Sequence, residues 1–134
     1  MKAITALTLA LLCASPLAGA HEAGHDNVEV LQQQALPNAP GKQAMMLTVT
    51  YAPGQASAAH SHPGSVMAYV LEGSVVSQLQ GQPPVTYKTG QYWYEPAGTV
   101  HLVSRNASAS QPAKLLVWVL KGEGEAVLEP YAPK

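Results

Sequence analysis

The chain has 134 residues, room for one domain of the usual size of about 100–150 residues and not comfortably for two. Charged residues make up 11% and hydrophobic residues 47%, a balance that excludes a mostly disordered chain. The formal net charge is −1 with no basic stripe, which excludes the footprint that nucleic acid demands and leaves small-molecule ligands open.

Residues 1–20 read as a secretory signal peptide. Lys2 supplies the positive end, residues 3–12 are an apolar run, and Ala18-Gly19-Ala20 is a small-x-small cleavage site before His21. A membrane anchor needs about 20 consecutive apolar residues, and Ser15-Pro16 breaks this run too early. A lipoprotein cysteine at Cys13 is disfavoured because Leu12 stands where a small residue is expected. The expectation is a secreted or periplasmic protein with no stable membrane insertion. Cleavage removes Cys13, the only cysteine, so metal chemistry in the mature chain falls to nitrogen and oxygen ligands. It also removes Lys2, leaving six basic against eight acidic side chains, a net of −2.

Residues 21–27 are polar and are expected to form a mobile arm. His21 and His25 there are read either as a soluble tail or, with the new α-amine, as a copper chelate. From residue 28 onward the chain is punctuated for β-structure. Runs rich in β-branched and aromatic residues fall at 28–32, 46–51, 66–71, 75–79, 85–88, 91–95, 100–104 and 115–120, with glycine, proline or asparagine between them. Glu72-Gly73 is expected to be a tight hairpin corner. Short strands at this spacing predict an all-β sandwich or barrel over residues 28–122. Residues 123–134 form a tail that either frays or lies along a barrel edge.

Two short motifs carry the chemistry. In Gly54-Gln55-Ala56-Ser57-Ala58-Ala59-His60-Ser61-His62, the H-x-H places both imidazoles on one face of an extended chain, because side-chain direction repeats every two residues. In Gly90-Gln91-Tyr92-Trp93-Tyr94-Glu95-Pro96-Ala97-Gly98-Thr99-Val100-His101, a strand runs into a Pro-x-Gly turn that delivers a third histidine. Neutral imidazole suits zinc, copper, iron and nickel.

These motifs resemble those of the cupins. Gly54, His60, His62 and Gly73 match the first cupin motif; Gly90, Pro96, Gly98 and His101 match the second. The resemblance covers roughly residues 43–120. It implies a single cupin barrel, or jelly roll, in which His60, His62 and His101 hold one divalent ion: Fe, Mn, Zn, Ni or Cu. It also implies a homodimer. One departure bears on function: the family's glutamate ligand, four residues after the second histidine, is here Val66.

Glu95 is the candidate that restores a carboxylate. If it points inward it becomes a fourth ligand or a general base, since an unpaired buried charge is costly; if outward, it is a solvated rim residue. Glu72 is read as structural. Met67, Tyr69, Tyr92 and Trp93 are expected either to wall a substrate pocket or to be core. Arg105, the only arginine, is read either as a solvated outer-face residue or, since strict alternation from His101 four residues earlier puts it on the ligand side, as a clamp for a substrate carboxylate. Asn106 is offset by one from a family asparagine and takes no role.

Three function classes compete. The first is a mononuclear non-haem metal enzyme, oxygenase-like, acting on a small molecule. The second is a non-catalytic periplasmic cupin that binds a small ligand or metal, and the third is a structural or assembly protein.

Overall fold

Residue alternation builds the molecule. Along Ala113–Gly122 every second side chain is buried, and the buried set is Ala113, Leu115, Val117, Val119 and, at the end, Lys121. A strand buried on one face requires this period of two. The structure is a computed structural model and describes residues 27–133. The expected signal peptide, Cys13, His21 and His25 lie outside the described residues.

Eleven strands follow in order: β1 (Asn27–Ala35), β2 (Lys42–Tyr51), β3 (Ala56–Ser57), β4 (His60–Ser61), β5 (Ser65–Glu72), β6 (Ser74–Leu79), β7 (Val85–Lys88), β8 (Tyr92–Glu95), β9 (Val100–Asn106), β10 (Ala113–Gly122) and β11 (Glu129–Pro130). Among the described residues there is no helix, and so none long and apolar enough to cross a membrane. One sheet has the order β1-β2-β10-β5-β8, the other β11-β4-β9-β6-β7 with β3 also on β9, and every pairing is antiparallel. From β4 onward the chain passes repeatedly from one sheet to the other, the connectivity of a jelly roll.

This alternation corrects the expectation at Glu72-Gly73. β5 and β6 belong to different sheets, so the turn is a corner between sheets, not a hairpin. Gly73 has φ of 72°, and a Cβ there would stand 2.5 Å from the Pro112 carbonyl oxygen, so the corner excludes any side chain. The hairpin lies one connection later, where β6 pairs with β7.

The inward faces meet in a core that includes Leu47, Val66, Val70, Val75, Leu115, Val119 and Trp93. Each fully buried aliphatic side chain stabilises by about 1.5–3 kcal/mol relative to exposure, so this shared interior holds the sheets together. The tail covers an edge: Glu129 and Pro130 pair with Ser61 and His60, and the Tyr131 amide donates to the Ala59 carbonyl. The opposite sheet's outer edge, β1, is exposed along its whole length.

Candidate metal centre

His60 sits on β4 directly opposite His101 on β9. His62 follows just past the end of β4, two residues on, so its ring returns to the same side. The His60 and His62 rings lie edge to face with centroids 4.8 Å apart, and His60 and His101 are 5.2 Å apart. Gly64 lets this segment press against β10, since a Cβ there would overlap the Leu120 carbonyl. From the Pro-x-Gly turn, the Gly98 amide donates to the His62 carbonyl at 2.8 Å, tying the two motifs together.

Each ring has one nitrogen engaged. His60 Nδ1 donates to the Ala58 carbonyl at 2.8 Å and His62 Nδ1 to the Val127 carbonyl at 2.6 Å, which directs both Nε2 atoms inward. His101 Nε2 is hydrogen-bonded to Ser77 Oγ at 2.8 Å, and its buried Nδ1 has no hydrogen-bond partner. One nitrogen from each ring lies within 4.8 Å of those of the other two. Two nitrogens about 2.1 Å from one ion can be no more than about 4.2 Å apart, so small ring movements suffice to share it.

Glu95, at the end of β8, points inward and is 3% exposed. Its Oε1 accepts from Trp93 Nε1 at 2.8 Å and lies 3.3 Å from His101 Nδ1. Its Oε2 lies 3.7 Å from His62 Nε2 and has no hydrogen-bond partner. Burial alone would push this carboxyl up, but His101, the Trp93 indole and His62 outweigh it and hold the group below the usual carboxylate range. Burial, with His62 and His101 adding to it, holds His60 below the ordinary imidazole value against the opposing Ala58 carbonyl. The donor set is therefore an ionised carboxylate beside a neutral imidazole, with two orphaned buried atoms between them. Such a set of imidazole nitrogens and a carboxylate fits a divalent ion.

Register places Glu95 beside the position where the family pattern has a glutamate. Val66 on β5 is directly paired with Glu95 on β8, and both face inward. Glu95 therefore stands one strand across the ladder from that position, at the same level.

Behind the four polar residues lies a cavity of about 310 Å³, walled by Leu47, Val49, Ala68, Leu115, Val117 and Trp93, with Val28, Val127 and Leu128 at its rim. Trp93 is thus both wall and hydrogen-bond donor. Met67 and Tyr69 are not in this cavity: the inward residues of β5 are Val66, Ala68 and Val70, which turns both outward. Tyr92 is 73% exposed for the same reason on β8.

Of the two readings of Arg105, the structure excludes the inward clamp. Leu79 pairs with His101 but Gln78 with Val103, so Leu102 is an extra residue, a β-bulge that reverses the alternation. Ser104 and Asn106 then face inward and Arg105 outward. Asn106 braces the following loop: its Nδ2 donates to the Ala52 and Gln111 carbonyls, and its Oδ1 accepts from the Ser108 amide. The sequence reading missed Ser77 and the Val127 carbonyl. Ser77 was findable as a polar residue at an inward position between Val75 and Leu79; the carbonyl carries no sequence signal.

The sequence profile described as the cupin domain matches residues 47–120. No curated protein matches. Among solved structures, similarity is found to an uncharacterized conserved protein with a double-stranded β-helix domain from Klebsiella pneumoniae subsp. pneumoniae, with TM-score 0.61, 20% identity, and 81% of this chain and 87% of that one covered. The DMSP lyase DddQ from Ruegeria pomeroyi gives TM-score 0.59 and 23% identity over 68% of this chain and 44% of that one. An oxalate oxidase in complex with the substrate analogue glycolate gives 0.54 and 20% over 62% and 44%. The chain spans less than half the length of these two enzyme chains, and at such identities the likeness shows the fold alone.

Proposed function

The chain belongs to the cupin family, and on that premise we propose that it is an exported, mononuclear metal-dependent enzyme of the non-haem, oxygenase-like kind, with His60, His62, His101 and Glu95 as ligands and the apolar cavity as the site of a small substrate. The observation that carries this is the buried Glu95 set among the imidazoles: Oε2 and His101 Nδ1 make no hydrogen bond, while the carboxylate lies 3.3 Å from His101 and 3.7 Å from His62. A buried carboxylate needs a cationic partner, and a divalent cation would serve Glu95 and its neighbouring imidazoles together. Ligand atoms about 2.1 Å from one ion lie roughly 3–3.5 Å apart, close to the 3.3 Å and 3.7 Å separations of Glu95 from His101 and His62. This favours Glu95 as a ligand over Glu95 as a base acting alone.

A bound divalent ion would act as a Lewis acid toward a substrate oxygen and as the place where oxygen chemistry occurs. The protein's part is positioning. Ser77 fixes the His101 ring, Ala58 and Val127 fix the other two, and Trp93 holds Glu95 by one oxygen so that the other stays aimed inward. The aliphatic walls exclude water and strengthen every charge interaction at the centre. Elemental analysis of protein purified from the periplasm, with oxygen uptake against thiols, diketones and phenolics, tests the reading. Iron or manganese with uptake supports it; bound metal with no oxygen consumption leaves a metal-binding protein.

That second reading, a non-catalytic binding cupin, is favoured by one observation. Among the described residues, apart from the four proposed ligands and Tyr51, no titratable side chain lines the cavity to serve as a separate acid or base. The partner proposed is a second copy of the chain, docked on the outer face of the β2-β10-β5-β8 sheet, where register aligns Met46, Trp118, Met67 and Tyr94 in one apolar row.

A further inference from the structure

The cavity has a second polar pole. Tyr51 enters from the end of β2, and its hydroxyl lies 2.8 Å from both Ser57 Oγ on β3 and Ser104 Oγ on β9. All three residues line the same cavity as the histidines, and Tyr51 and Ser104 are almost wholly buried. Ser77 pairs with Ser104 and Leu79 with His101, so the hydroxyl group and the metal centre are separated by two residue steps along the sheet. At about 3.4 Å per residue this is roughly 7 Å. Between the poles the wall is aliphatic, formed by Leu47, Val49, Leu115 and Val117.

We propose that the Tyr51–Ser57–Ser104 hydroxyls are a recognition subsite for the far end of the substrate. The substrate class follows: a small molecule with a metal-binding oxygen group at one end, an apolar middle, and an uncharged hydroxyl or carbonyl at the other. Three hydroxyls can rotate to donate or to accept, so they suit a neutral polar group. Among the described residues no lysine or arginine lines the cavity, and Arg105 faces outward, so none of them offsets an anionic tail at this pole. The bulge at Leu102 is what makes the subsite, since it turns Ser104 inward in place of Arg105. A purely structural role for Tyr51 predicts tolerance of phenylalanine with no change in ligand preference.

The inference rests on reading the cavity as a small-molecule site, and its test keeps the two apart. The probes are p-cresol and toluene, which differ by one hydroxyl, titrated by calorimetry into wild-type protein, Tyr51→Phe and Ser104→Ala, each checked for folding by circular dichroism and for zinc content. Wild type should bind p-cresol roughly 2- to 12-fold more tightly than either variant, the worth of one net hydrogen bond, while toluene binds all three alike. Equal p-cresol affinity in wild type and both folded variants overturns the subsite alone. Failure of wild type to take up either probe overturns the cavity reading and the subsite with it. The zinc content reports on the metal centre independently of both results.

Discussion

Replacing Glu95 by Gln tests the metal centre at its least usual member. The side-chain carbonyl of Gln still accepts from Trp93 Nε1, so the local packing survives while the anionic oxygen is lost. In the wild type, zinc at about 100 times its Kd stabilises the fold by about 2.7 kcal/mol. At roughly 4–8 °C per kcal/mol for a domain of this size, Tm should rise by about 10–20 °C over the metal-free protein. Loss of an outer partner of a ligand weakens metal binding by about 10–100-fold, and loss of the ligand itself by at least the upper figure. At the same zinc concentration the variant then gains only about 0.4 kcal/mol, or roughly 2–3 °C. The metal-free variant should be somewhat less stable than metal-free wild type, because the ionised carboxylate that His101, Trp93 and His62 hold below its ordinary pKa has gone. Differential scanning fluorimetry with and without zinc reads both quantities. The swap Val66→Glu with Glu95→Val should recover most of the zinc shift, since the two positions are paired across the ladder. A zinc-dependent shift in Glu95→Gln equal to that of wild type would refute the assignment.

Further outcomes can be checked alongside. Deleting residues 126–134 removes the carbonyl that orients His62 and should weaken zinc binding about 10–100-fold in a chelator competition. In metal-free protein, acid should destabilise. His60 and Glu95 both have lowered pKa in the fold, so the unfolded chain binds more protons; the His60 contribution fades below its ordinary value of 6.5, and that of Glu95 is lost as pH falls below 4.5 and through its folded value. Urea titrations at pH 7.5, 6 and 4.5 should give falling midpoints, and a midpoint that does not fall on going from pH 7.5 to 6 contradicts the buried neutral His60. Arg105→Ala should leave ligand affinity and zinc content within twofold of wild type, because the side chain faces out; a tenfold loss in calorimetry would put it back in the site. Light scattering should give twice the protomer mass for the wild type, and Met67→Ser with Tyr94→Ser should shift it to the protomer.

Much of this was legible before the fold was known. Strand positions followed from punctuation by glycine and proline, and the convergence of His60, His62 and His101 followed from an H-x-H and a Pro-x-Gly-x-x-His, because local backbone geometry fixes where those side chains go. The side of Arg105 stayed open because a one-residue bulge is set by how β9 meets β6, not by anything in residues 100–106 themselves. The Glu72-Gly73 corner was misread for a related reason. Glycine at positive φ signals a sharp turn, but whether the two strands then pair depends on which sheet each one joins. Met67 and Tyr69 are apolar at outward positions, a pattern that suggests interior from composition alone and exterior once the phase of β5 is known.

On the proposed reading, Glu95 would take over the part of the glutamate that the motif lacks at Val66. On neighbouring antiparallel strands, paired residues point to the same face with Cβ atoms about 4.5–5.5 Å apart. A glutamate side chain spans most of that distance, so a carboxylate at either position can reach the same point between the imidazoles. The exchange brings one new constraint. On β5 the neighbouring inward residue is Ala68, which cannot hold a carboxylate; on β8 it is Trp93, whose indole N–H grips Oε1. Trp93→Phe should therefore free Glu95 to rotate and lower zinc affinity without touching any ligand, an effect expected only of a carboxylate working from β8.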